Sequence, residues 1–221
     1  MDETIRTKMA IASSTIEAIV DSQDYASLLQ RCLANPYKMR FIFSGVGKNW
    51  YICEKEVKTF ISMGLKASSL DCTHALHGDL GTLMDKDEDK VIVFISKSGK
   101  TKEMEKLVDV ISDLKASKKI ENLTTVGLFL TCDGEYESLK ERYDYVLTPR
   151  GVSKTLAKVE IDSRDLIPSL SIHTTQLVLD ILGVDVFEQC QDLVDNYKYN
   201  HLGGNNGKLL GMDKYLDNFG K

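Results

Sequence analysis

Histidine, proline and tryptophan are scarce: the 221 residues hold four, three and one of them. The histidines, at 74, 77, 173 and 201, show no recognisable ligand spacing, so no metal site is expected from them. Five cysteines stand far apart, at 32, 53, 72, 132 and 190, with no CxxC pair. That excludes a disulfide framework and the common zinc modules, and the thiols read as reduced ones in a cytoplasmic protein. Nor is there an excess of base: 28 lysines and arginines face 33 aspartates and glutamates, and a net charge of −5 argues against the nucleic-acid backbone as the main partner. The first twenty residues mix charge into their apolar positions and lack the core of a signal peptide. No apolar run reads as long enough to span a bilayer, so no membrane partner is expected.

What is present is an alternation. Apolar residues at Ile5, Met9, Ile16, Ile19, Val20, Leu28, Leu29 and Leu33 predict helix over residues 3 to 34, with a break near Asp21. Strand-like stretches then recur at 40–43, 66–71 (KASSLD, the polar one), 91–95, 124–131 and 143–148, with helical patterns at 49–64, 100–117 and 135–141. Continuous apolar strands alternating with helices predict a five-stranded parallel sheet covered on both faces, a doubly wound three-layer αβα sandwich. A further helix is predicted from Pro168 to Leu182, followed by a glycine-rich tail. The chain is expected to be a single domain over 1–221, with an N-terminal helical segment (1–34), a sheet-and-helix core (35–185) and a tail (186–221).

In such a sheet ligands bind at the carboxyl ends of the strands. Two strand-to-helix hinges have suitable chemistry. In "FISKSGKT" the hydroxyls of Ser96, Ser98 and Thr101, a close-approach residue in Gly99, and the start of a helix together describe a pocket for a phosphate monoester. The same residues also serve as ordinary helix caps. In "FSGVGKN", Ser44, Gly45, Gly47 and Lys48 occupy an equivalent turn. It is not a Walker A loop, since Ile42 stands at the first glycine position and Asn49 follows the lysine, and Trp50 spoils a dinucleotide fingerprint. Nucleotide binding by those routes is not expected.

A third stretch, "HALHGDLG" at 74–81, completes a pattern. With G-V-G-K at 45–48, H-G-D-L-G at 77–81, S-K-S-G at 96–99, Glu160, Pro168 and Asp180 in a fixed spacing, and "HLGGNNG" at 201–207, the sequence resembles the arabinose-5-phosphate isomerases of the sugar isomerase (SIS) domain superfamily. The resemblance implies aldose–ketose interconversion of D-arabinose 5-phosphate and D-ribulose 5-phosphate through an enediol. The product would feed synthesis of the eight-carbon acidic sugar Kdo (3-deoxy-D-manno-octulosonate) for lipopolysaccharide or capsule. It also implies a homotetramer with active sites shared between subunits. Many full-length members carry regulatory CBS modules, and this sequence is expected to be a short form without them.

Proton transfer next to a carbonyl needs a base, a group to stabilise the oxyanion, a relay for ring opening and an anchor for the phosphate. Glu160 is the expected base and His201 the group for ring opening or proton relay. His77 is expected to line the sugar pocket, and Lys48 to stabilise the enediolate or the phosphate. Glu103 keeps a second acidic position of the family pattern. Lys100 stands where the family has glutamate, either adding phosphate attraction or pointing into solvent. His74 and His173 match no family position and are expected to be structural. An enediol route calls for no cofactor and no metal. Two other readings remain: a non-catalytic module that binds a sugar phosphate as a sensor, and an isomerase for a different sugar phosphate.

Overall fold

The computed structural model describes residues 3–131, 136–150 and 169–215. Two helices, α1 (Glu3–Val20) and α2 (Gln23–Leu33), open the chain. Ser22 caps the second, its side chain accepting from the Tyr25 amide, which explains the break predicted near Asp21. Next come β1 (Met39–Gly45), α3 (Lys48–Ser62), β2 (Lys66–Ser69), two 3₁₀ turns within 75–83, β3 (Asp89–Ser96) and α4 (Lys102–Ala116). β4 (Leu123–Phe129), α5 (Tyr136–Lys140) and β5 (Tyr145–Leu147) complete the sheet. After it stand α6 (Ser169–Glu188), α7 (Gln191–Asn196) and α8 (Gly204–Leu209).

The five strands are parallel, in the order β2-β1-β3-β4-β5. This is the predicted α/β sandwich. Period-two alternation sends neighbouring side chains to opposite faces. Phe41, Phe43, Val91, Val93 and Ile95 face a core shared with α1, α2, α3 and α6. Ile42, Ile92 and Phe94 face a second core shared with α4 and α5. Phe60 of α3 meets the rings of Phe41 and Phe43 edge-on at 4.9 and 5.0 Å. Each such buried ring contributes about 2 kcal/mol, so α3 is held firmly against β1.

One expectation is corrected. α6 runs to Glu188, six residues past the predicted end, and over Leu170–Glu188 it is long and apolar enough to cross a bilayer by length and composition. Threonines and two aspartates interrupt the run, which hides it in the sequence. Its apolar positions have another use here: Val178, Leu179, Leu182 and Val186 are fully buried in the first core. Within its described residues the glycine-rich tail forms short helical turns.

Candidate active site

The chain leaves β1 for β2 on one side and returns to β3 on the other, so the topological switch point lies between the carboxyl ends of β1 and β3. Both hinges singled out in the sequence meet there. After β1, Gly47 has φ +64°, a conformation that costs a residue with a Cβ, and it turns the chain so that α3 starts at Lys48. Lys48 is exposed at the helix start. The Asn49 amide donates to the Ile95 carbonyl across 3.3 Å and staples this turn to β3. Ser44 is fully buried; its hydroxyl donates to the Leu70 carbonyl at 2.6 Å and lies 3.1 Å from Cys72 Sγ, so it acts within the scaffold.

The loop after β3 is braced by its own hydroxyls. Ser96 Oγ accepts from the Gly99 amide at 3.1 Å and pairs with Thr101 Oγ1 at 3.1 Å, while Ser98 Oγ accepts from the Lys100 amide. Gly99 takes φ +76°, with the Phe129 ring packed beneath it. The Lys97 carbonyl accepts the amides of Leu130 and Thr131 and the Thr131 hydroxyl, which fixes the loop to the end of β4. Thr101 then caps α4, whose first-turn N–H groups have no partner inside the helix and carry its positive dipole end. Lys100 and Glu103 are exposed on this rim.

The segment 71–83 forms the third wall. The Asp71 carboxylate accepts from the Thr73 amide at 2.7 Å and hydroxyl at 2.6 Å, and its second oxygen lies 3.0 Å from His74 Nδ1. Burial opposes ionisation of Asp71, but these bonds outweigh it and hold the carboxyl below its usual range. His77 ends the first 3₁₀ turn and is exposed.

Two open recesses flank the Lys48 turn. One is lined by Gly45, Lys48, Tyr51, Asp71 and Thr73; the other by Lys48, Asn49, Lys97, Ser171 and Thr175. Sequence reasoning did not single out Asn49, Tyr51, Asp71, Lys97, Ser171 and Thr175 as site residues, although Lys97 lies within S-K-S-G. The one available signal was their adjacency to the motif residues, one or two positions away for Asn49 and Lys97.

The structure does not bring His201 to this end. Its Nδ1 lies 3.1 Å from the Tyr197 carbonyl and its ring 4.2 Å from the Tyr197 ring. The neighbouring Asn200 amide donates to the carbonyl of Ser62, the last residue of α3. Lys48 begins that helix, and fifteen residues span about 22 Å. Glu160 and Pro168 lie outside the described residues. Asp180, the third residue of their motif, forms an ion pair with Lys55 of α3, and Lys55 also reaches the buried Glu56 at 3.1 Å. Among the described residues no group of three histidine, cysteine or acidic side chains is arranged to hold a metal ion.

The parallel sheet thus carries a serine- and glycine-containing loop after β3 and a lysine turn after β1 at its switch point, and comparison with known proteins finds the same fold among phosphosugar isomerase structures. The chain shares 22% identity with a candidate phosphosugar isomerase involved in capsule formation from Bacteroides fragilis, covering 90% of this chain and 96% of that one at a TM-score of 0.68. A structure of an Escherichia coli CFT073 protein in complex with arabinose 5-phosphate gives 24% identity, coverage of 91% and 100%, and a TM-score of 0.62. In sequence, the probable arabinose 5-phosphate isomerase of Haemophilus influenzae is 29% identical over 171 residues, 77% of this chain and 45% of the relative. The chain spans about half the length of the curated relatives it matches best here, and no protein-family model matches it. The chain is similar in sequence to proteins named arabinose 5-phosphate isomerase and in fold to phosphosugar isomerase structures.

Proposed function

We propose that the chain is a sugar-phosphate aldose–ketose isomerase that interconverts D-arabinose 5-phosphate and D-ribulose 5-phosphate through an enediol. The observation that carries this reading is the meeting of the Ser96–Thr101 loop with the Lys48 turn at the β1/β3 switch point. In it the phosphate sits on the loop hydroxyls of Ser96, Ser98 and Thr101 and the donor end of α4, with Lys100 at the rim. Lys48 faces the carbonyl oxygen, where negative charge grows as the proton leaves. Glu160 takes that proton, and His77 orients the sugar. The chemistry requires no redox cofactor and no metal.

His201 enters this scheme from a neighbouring subunit of a homo-oligomer, a tetramer in the family it resembles. Its position near the far end of α3 favours donation across an interface over service to its own chain. The protein acts in the cytoplasm, and its product supplies synthesis of an eight-carbon acidic sugar.

Incubating the purified protein with D-arabinose 5-phosphate tests the reading directly. Ribulose 5-phosphate should form with solvent deuterium at C1, recovered arabinose 5-phosphate should carry it at C2, and both signals should vanish in Glu160→Ala. Sugar-phosphate binding without turnover or exchange would favour a sensor; turnover of a hexose phosphate instead would move the substrate and keep the class.

A further inference from the structure

Of the two histidines that match no family position, His74 is the one that the structure equips for proton transfer. His74 Nδ1 lies 3.0 Å from Asp71 Oδ2 and 3.2 Å from Thr73 Oγ1. Among the described residues no other histidine is paired with a carboxylate. Asp71 is itself fixed, because its other oxygen is held by the Thr73 amide and hydroxyl. The carboxylate therefore sets the plane of the imidazole and compensates the positive charge the ring gains when it takes a proton. The His74 side chain is 72% exposed, and with Nδ1 turned to Asp71 its Nε2 lies on the far side of the ring. Asp71 and Thr73 line the same recess as Lys48 and Tyr51, so the dyad stands at the edge of the pocket where Lys48 meets the developing oxyanion.

We propose that His74, oriented by Asp71, is a catalytic residue of the isomerisation that shuttles a proton between the two enediol oxygens. This rests on the isomerase reading above. Removal of the C2 proton by Glu160 leaves an enediolate with its charge on the oxygen of C1 and a proton on the oxygen of C2. His74 Nε2 accepts the proton from the C2 oxygen and delivers it to the C1 oxygen. The charge thereby moves to the C2 oxygen, and it becomes the ketose carbonyl when C1 takes up a proton. Nothing is consumed, and the ring returns to its starting form. A purely structural His74 would only brace the 3₁₀ turn at 75–77, and the two roles separate under substitution.

The experiment uses the full chain with His74→Gln, whose amide still reaches Asp71, and His74→Gly. The sugar phosphate is D-arabinose 5-phosphate, with binding followed by calorimetry, isomerisation by ribulose 5-phosphate formation, and exchange by deuterium uptake at C2. We expect kcat to fall on the order of 100-fold in both variants with binding within threefold of wild type. Exchange should fall less than isomerisation, and added imidazole should restore part of the His74→Gly rate. Wild-type kcat in His74→Gln, or a loss in His74→Gly that imidazole leaves untouched, overturns the proposal. Absence of turnover in the wild type overturns the isomerase reading instead, and the proposal falls with it.

Discussion

The side-chain amide of Asn49 donates to the main-chain carbonyl of Ile95, and this 3.3 Å bond ties the turn that carries Lys48 to the strand that leads into the Ser96–Thr101 loop. Neither residue belongs to a recognised motif, yet the pair fixes the distance between two halves of the site.

Asn49→Ala should therefore act on geometry. Loss of one such bond costs about 1 kcal/mol of stability. The expected result is a several-fold rise in KM for the sugar phosphate, with a thermal midpoint only a few degrees lower. Steady-state kinetics beside a melting curve checks it; an unchanged KM would detach the staple from binding.

Ser96→Ala removes the acceptor for the Gly99 amide and the partner of Thr101. The left-handed Gly99 turn then loses its brace. Affinity for inorganic phosphate, measured by competition against the sugar phosphate, should weaken by roughly tenfold, about 1.4 kcal/mol. Equal affinity would place the phosphate elsewhere.

Glu56 gives the protein a pH-dependent stability away from the site. It is fully buried on α3, one carboxyl oxygen has no hydrogen-bond partner, and burial, then the charge of Asp180, pushes its pKa up to about 8 despite Lys55. The folded state thus holds a proton that the unfolded chain has already lost, from the ordinary glutamate pKa up to about 8. Stability is full at the low end of that window and falls as pH rises through it, by up to about 1.4 kcal/mol per pH unit. Glu56→Gln keeps the shape and removes the ionisation. Denaturant unfolding at several pH values should show a flatter profile for the variant and greater stability than wild type at pH 8.

Mixed subunits test the origin of His201. His201→Ala and Glu160→Ala should each be inactive, and exchange of subunits between them should restore about a quarter of the activity per site by random mixing of complementary chains. No recovery despite demonstrated exchange would return His201 to its own chain.

The sheet was legible because its signal is local and repeated. Four apolar runs translate directly into strands β1, β3, β4 and β5, β2 being the polar stretch KASS, and the hinges at Gly47 and Gly99 announce turns that need positive φ. The third dimension of the site was not legible. Asp71 and His74 sit three positions apart in a stretch with little periodicity, so their pairing depends on a turn that the Thr73 bonds create. Lys97 and Thr175 line one recess although 78 positions apart, which only packing of α6 against the sheet explains. The length of α6 was obscured because Asp180 and Asp185 look like breaks, when one finds Lys55 and the other the Tyr25 hydroxyl at 2.6 Å.

The Lys97 carbonyl, holding two amides and a hydroxyl from the end of β4, bears on time as well as on shape. A loop anchored this way stands assembled before any anion arrives. If this loop takes the phosphate as proposed, capture should proceed at the pace of diffusion, without a slow ordering step, and release should be governed by the bonds to the anion itself. The ligand enters a site already waiting for it, so saturation should leave amide exchange of the 96–101 segment almost as it was.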